Sequence, residues 1–233
     1  MFFMMINFDL GSLMGYEFGY QYYTLNVDIQ NSIFSGLSTI ASANGYVYAF
    51  NSYNYIVEEF IVKNNDITHF RGYTDLNQAI LWTDICITLA GGGGNGGGAV
   101  ISGNTFTNCG VGVMLTRSPY YTYHAVDELG ADNTTISGNT FNEGGEVADV
   151  WIYSQGHADD TVISGNTMNS DAGGHGIAQY AGKNLRTEIS GNTINGADEG
   201  IYIRDGTGFV VDNNQINGIG ESANTGIYIR GGA

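Results

Sequence analysis

One short phrase recurs down this chain: Ile101-Ser-Gly-Asn104-Thr-Phe106, then Ile136 to Phe141, Ile163 to Met168, Ile189 to Ile194, and a looser Val211-Asp-Asn-Asn214-Gln-Ile216. Self-similarity at a spacing of about 20 to 50 residues marks one structural unit stacked on itself, and it constrains the fold more than any single motif. A second phrase alternates with the first: Gly112 to Leu115, Val150 to Tyr153, Gly176 to Tyr180, Gly200 to Arg204 and Gly226 to Arg230. With the asparagine of the first phrase as a ruler, the steps from Asn104 through Asn139, Asn166 and Asn192 to Asn214 are 35, 27, 26 and 22 residues. Weaker copies extend the ruler upstream to Asn65 and to Asn31. The last three steps suit one turn of a coil built from two or three short strands joined by bends.

Within the first phrase, apolar side chains stand three before and two after the asparagine, and a bend at Gly-Asn accounts for the break in strict alternation. In the second phrase alternation is clean, with Ile201 and Ile203 inward and Tyr202 and Arg204 outward. Stacked coils lie about 4.8 Å apart, so equivalent residues form columns. An inward asparagine column satisfies its amides from coil to coil, which removes the cost of burying them. A second column, Asn142, Asn169, Asn195 and Asn217, is expected to do the same.

Composition supports this reading. Glycine is abundant, at 36 residues, while proline occurs once, so collagen-like or disordered segments are not indicated. The glycines instead recur at fixed places in a strand-rich pattern, as tight turns require. A net charge of −16 argues against nucleic acid or an anionic membrane as partner. Cys86 and Cys109 could pair across neighbouring coils or stand as two buried thiols. The opening Met1 to Asp9 is interrupted by Asn7 and Asp9, and reads as neither a signal peptide nor a membrane span. The pattern breaks off mid-phrase at Gly226 to Ala233, which suggests a piece of a longer protein, with end-to-end stacking or flanking domains as further partners.

The two phrases resemble the right-handed parallel β-helix of the pectate-lyase-like superfamily, in particular its Ile-x-x-Asn-x-Ile … Gly-Ile-x-Ile repeat. The resemblance covers residues 100–233 well, 26–99 weakly and 1–25 hardly at all. It implies an all-β solenoid of about six to seven coils in a single domain, with irregular first coils over 1–99 and regular ones over 100–233. The fold is shared by lyases, epimerases, hydrolases, adhesins and non-catalytic sugar-binding modules, so it sets only a prior on function. In the resembling polyuronate lyases, calcium or arginine neutralises a carboxylate while a base removes the neighbouring ring proton. That implies such a role for Arg204 or Arg230, with Asp149 or Glu199 as an oxygen ligand should Ca2+ be the cofactor.

The outward columns of the second phrase form the most suggestive surface. One reads Met114, Trp151, Ala178, Tyr202, Tyr228; the other reads Thr116, Tyr153, Tyr180, Arg204, Arg230. Aromatic faces stack on sugar rings, and hydroxyl and guanidinium groups bind hydroxyls or carboxylates. His175 and Glu199 hold the same place in adjacent coils, two before Ile177 and Ile201, and are expected about 5 Å apart as an acid/base dyad near Arg204. Asp149 and Asp198 flank the same edge. The long step after Asn104 predicts a projecting loop over 116–130 that offers Tyr121 and His124 as further binding residues. Gly91 to Gly98 reads as a flexible turn, and His69 and His157 lack a second ligand at zinc spacing.

Three classes of function compete. A polysaccharide lyase, epimerase or glycoside hydrolase would gather His175, Glu199, Arg204 and the loop in one groove. A carbohydrate-binding or spacer segment of a secreted or surface protein would space aromatics along a shallow face. An ice-binding solenoid would use Ser102/Thr105-type columns, although the Gly-Asn bend between them spoils flatness. Extracellular or cell-surface polysaccharide engagement is the expectation these residues favour.

Overall fold

The computed structural model describes residues 24–35, 47–51, 56–68, 84–90, 98–116, 131–144, 148–153, 158–170, 174–180, 186–204, 206–218 and 225–230. The chain passes repeatedly through three short strands. The first passes give β1 (Thr24–Gln30), β2 (Ile33–Ser35), β3 (Val47–Asn51), then β4 (Ile56–Lys63), β5 (Asp66–Thr68), β6 (Asp84–Ala90). The next give β7 (Ala99–Ser102), β8 (Thr105–Thr107), β9 (Val111–Thr116), then β10 (Thr135–Ser137), β11 (Thr140–Gly144), β12 (Ala148–Tyr153). The last give β13 (Val162–Ser164), β14 (Thr167–Ser170), β15 (His175–Tyr180), β16 (Glu188–Ser190), β17 (Thr193–Asn195), β18 (Glu199–Ile203), and β19 (Val210–Asp212), β20 (Gln215–Asn217), β21 (Thr225–Ile229).

Every third strand pairs in parallel, so the described residues form three seven-stranded sheets: β1 to β19, β2 to β20 and β3 to β21 in steps of three. No helix occurs among the described residues. Parallel β-helix is therefore the architecture. The register follows the repeat: Ile136 pairs with Ile101 and Ile163, and Phe141 with Phe106 and Met168.

The bend between first and second sheets has a local cause. Asn31, Asn64, Gly103, Gly138, Gly165, Gly191 and Asn213 all adopt a positive φ, a conformation open to glycine and tolerated by asparagine. The following residue turns inward. Asn65, Asn104, Asn139, Asn166 and Asn192 are buried there as a ladder. The Asn139 amide donates to Asn166 Oδ1 at 3.0 Å and to the Ile101 carbonyl at 2.9 Å. The same pair of bonds recurs from Asn65 to Asn192, and Asn214 continues the carbonyl bond to Ile189. The expectation for Asn31 is corrected: it sits in the positive-φ column, and Ser32 takes the ladder position, its N–H donating to Asn65 Oδ1. Asparagine suits both adjacent positions, which is why spacing alone misassigned it.

The tube is filled by side chains from all three sheets. Ile101, Ile136, Ile163 and Ile189 come from the first, Phe106, Phe141, Met168 and Ile194 from the second, and Val113, Val150, Ile177 and Ile201 from the third. Phe106 and Phe141 stack at 4.7 Å between centroids. Cys86 and Cys109 pair as a disulfide, which decides the alternative that the sequence leaves open.

Candidate functional site

Two columns on the outer face of the third sheet carry the candidate chemistry. One runs Val111, Ala148, His175, Glu199, Thr225; the other runs Met114, Trp151, Ala178, Tyr202, Tyr228. The face is not open along its length. Val111, Ala148, Met114 and Ala178 are all buried. Tyr202 is half-buried, and Tyr228 is 38% exposed, so the surface opens at β18 and β21. The strip expected from alternation is thus accessible at its last two coils and closed at the earlier outward positions whose burial is described. Alternation tells which way a side chain points, but not how much of it water reaches.

At the open end the rings form a short platform. Tyr202 and Tyr228 stack at 5.1 Å with planes 5° apart, and the His175 ring lies 5.1 Å from Tyr202, tilted by 34°. His175 Nδ1 and Glu199 Oε2 approach to 2.9 Å, each side chain 17% exposed. Parallel register causes this closeness, because the two residues are direct partners across β15 and β18. Burial holds the imidazole below its ordinary pKa, with the Asp198 charge opposing. Burial and then Asp198 push the Glu199 carboxyl above its own. In both cases burial disfavours the charged form of the side chain.

Arg204 and Arg230 are exposed just past the ends of β18 and β21. They are held coil to coil by main-chain bonds, the Arg204 N–H to the Gln179 carbonyl and the Arg230 N–H to that of Ile203. Five residues along a strand separate Arg204 from Glu199, about 16 Å. The structure therefore brings His175, Glu199 and Tyr202 together and sets the arginines at the opposite edge of the platform. Asp149 is not on the open edge. It is buried and accepts the Ser170 hydroxyl at 2.6 Å, a contact between sheets that sequence spacing did not reveal. The expected place of Asp149 at the edge beside His175 and Glu199 is thereby corrected. Among the described residues no group of three or more His, Cys, Asp or Glu could hold a metal ion.

Trp151, Tyr153 and Tyr180 lie in register on β12 and β15, with only their backbone described. Tyr121 and His124 lie outside the described residues, as do the rest of the loop from 117 to 130, Gly91 to Gly97, His69 and His157. The His175–Tyr202 contact joins two different columns, which a column-by-column reading of the sequence passes over.

Residues 95–233 match the family model described as periplasmic copper-binding protein (NosD). No curated protein and no solved structure matches the chain.

Proposed function

The chain belongs to the NosD family of right-handed parallel β-helices, and from that scaffold we propose that it engages polysaccharide along the third sheet, where the outer face opens at β18 and β21. The observation that carries this reading is the stacked Tyr202–Tyr228 pair, continued by the His175 ring. Stacked on one another, the rings turn their edges and hydroxyls outward in a row along the coil axis, which suits hydrogen bonding to the hydroxyls of successive sugars. Arg204 and Arg230 along one edge supply donors for hydroxyls or carboxylates. The family's description as periplasmic supports a location outside the cytoplasm, and so does the Cys86–Cys109 disulfide, which persists in oxidising compartments.

The His175–Glu199 contact favours a second reading, in which the bound glycan is also cleaved or epimerised. In an elimination His175 would take the ring proton, the C–O bond to the leaving sugar would break, and Glu199 would return a proton to the departing oxygen. One experiment separates the two readings. Binding of neutral and uronate glycans is measured together with the absorbance of unsaturated products. Tyr202→Ala and Tyr228→Ala are expected to weaken binding roughly tenfold each, about the worth of one hydrogen bond. Under the catalytic reading, Glu199→Gln abolishes product while binding persists. A wild-type chain that binds none of these glycans would overturn both readings.

Copper, named in the family's description, finds no matching donor set among the described residues. Copper sites take imidazole, thiolate or thioether ligands. Cys86 and Cys109 are joined to each other, Met168 is buried in the core, and Met114 is buried on the third sheet. His175 is the one histidine among the described residues, and its partner is Glu199.

A further inference from the structure

The second sheet carries a surface that the glycan platform does not use. Thr105, Thr140, Thr167 and Thr193 are direct neighbours in register across β8, β11, β14 and β17. Two residues further along each strand runs a second column, Thr107, Asn142, Asn169, Asn195 and Asn217. The alternating burial of these strands places Thr and Asn on the outer side, half-exposed, with Phe106, Phe141, Met168 and Ile194 inward. Ser102 and its equivalents lie across the positive-φ bend on the first sheet, so the Ser/Thr pairing considered from sequence is not planar. The Thr and Asn columns, by contrast, share one sheet.

This face is regular in two directions. Columns repeat about every 4.8 Å from coil to coil and stand about 7 Å apart along the strand. Its members are also fixed. Threonine is stiff about its first side-chain torsion. The asparagines are tied in a row, Asn169 donating to Asn142 Oδ1 at 2.9 Å, Asn195 to Asn169 at 2.8 Å and Asn217 to Asn195 at 3.0 Å. The two columns carry no charge from β8 to β20, on a molecule of net charge −16. They also carry no aromatic ring, which sets them apart from the glycan platform.

We propose that the outer face of the second sheet adsorbs to ice. A rigid, uncharged lattice of hydroxyls, methyls and amides complements a partner that is itself periodic, uncharged and made of hydrogen-bonding groups. Water ordered at an ice surface has that chemistry. A dissolved glycan or a charged polymer has no need of two-dimensional regularity. The proposal is independent of the platform on the third sheet.

The test is inhibition of ice recrystallisation and thermal hysteresis by the full chain. The wild type is expected to inhibit ice growth, the Thr140→Lys/Thr167→Lys double variant to lose the effect, and Tyr202→Ala to keep it. Thr193→Lys, measured separately with circular dichroism as the folding control, preserves the comparison should the double variant fail to fold. Absence of inhibition by wild type overturns the proposal. So does full inhibition by a folded lysine variant, or adsorption of this face to crystalline polysaccharide in place of ice.

Discussion

The chemistry of single residues here is set by what the stacking places beside them. An asparagine inside an apolar tube would be a liability in isolation, yet each ladder amide meets a carbonyl and the next side-chain oxygen, so the burial cost is met bond by bond. His175 and Glu199 face the opposite circumstance, because burial disfavours the charged form of each. The consequence is a pH dependence with two windows. The folded His175 titrates below the ordinary imidazole value of about 6.5, so the unfolded chain takes up that proton first. Stability from this group is present above the ordinary value and is lost as pH falls from it toward the folded one. Glu199 titrates above the ordinary carboxyl value when folded, so its contribution is present at lower pH and is lost as pH rises through the raised value. Melting temperatures measured from about pH 4 to about pH 7 should show both windows in the wild type. His175→Gln should flatten the upper window, and Glu199→Gln the lower. A profile that both variants leave unchanged would show that neither group is coupled to folding.

At the scale of the strand, what matters is how closely neighbouring coils approach. Gly200 opens the phrase of β18, and a Cβ there would stand 2.6 Å from both Ile216 Cγ2 and the Gly226 carbonyl. Gly226, in the same position one coil on, has no atom within 4 Å of its Cβ direction. Gly200→Ala should therefore lower stability by about 1 to 3 kcal/mol through overpacking. Gly226→Ala should be close to neutral, and paired denaturant titrations would check the contrast. Equal effects at the two positions would mean that backbone entropy, not contact, decides the residue. The same geometry explains what was readable beforehand. Spacing revealed the coil, the ladders and the juxtaposition of His175 with Glu199, because register in a parallel stack follows from counting residues between phrases. Counting gives direction and not exposure, so the burial of Met114 and Ala178 was not legible. Nor was the disulfide, because Cys86 precedes the regular phrases that supply a register. Asp149 stood in the glycine column, where an inward direction was legible in principle, but its Ser170 partner belongs to another sheet.

For the whole molecule, the consequence of stacking is that each coil answers mainly to its neighbours. Stability in a solenoid is close to a sum of coil terms and nearest-neighbour interface terms, so damage at one interface need not spread. The disulfide tests this. Cys86 lies on β6 and Cys109 just before β9, adjacent strands of the third sheet, with 23 residues of sequence separation. Closing a loop of that size is worth about 3 kcal/mol through the unfolded chain. In a compact domain the loss on reduction would be felt everywhere. Here it should fall on the β6–β9 interface and the coils before it. The later stack from β13 to β18 keeps its ladder bonds and its buried isoleucines, none of which depends on the cysteines. Hydrogen exchange followed by mass spectrometry, with and without reductant, should therefore show protection falling around residues 86 to 111 and holding at 163 to 203. Uniform loss along the chain would mean that the coils fold as one cooperative block. The aromatic platform and the threonine face of the later coils would then depend on a bond several coils away.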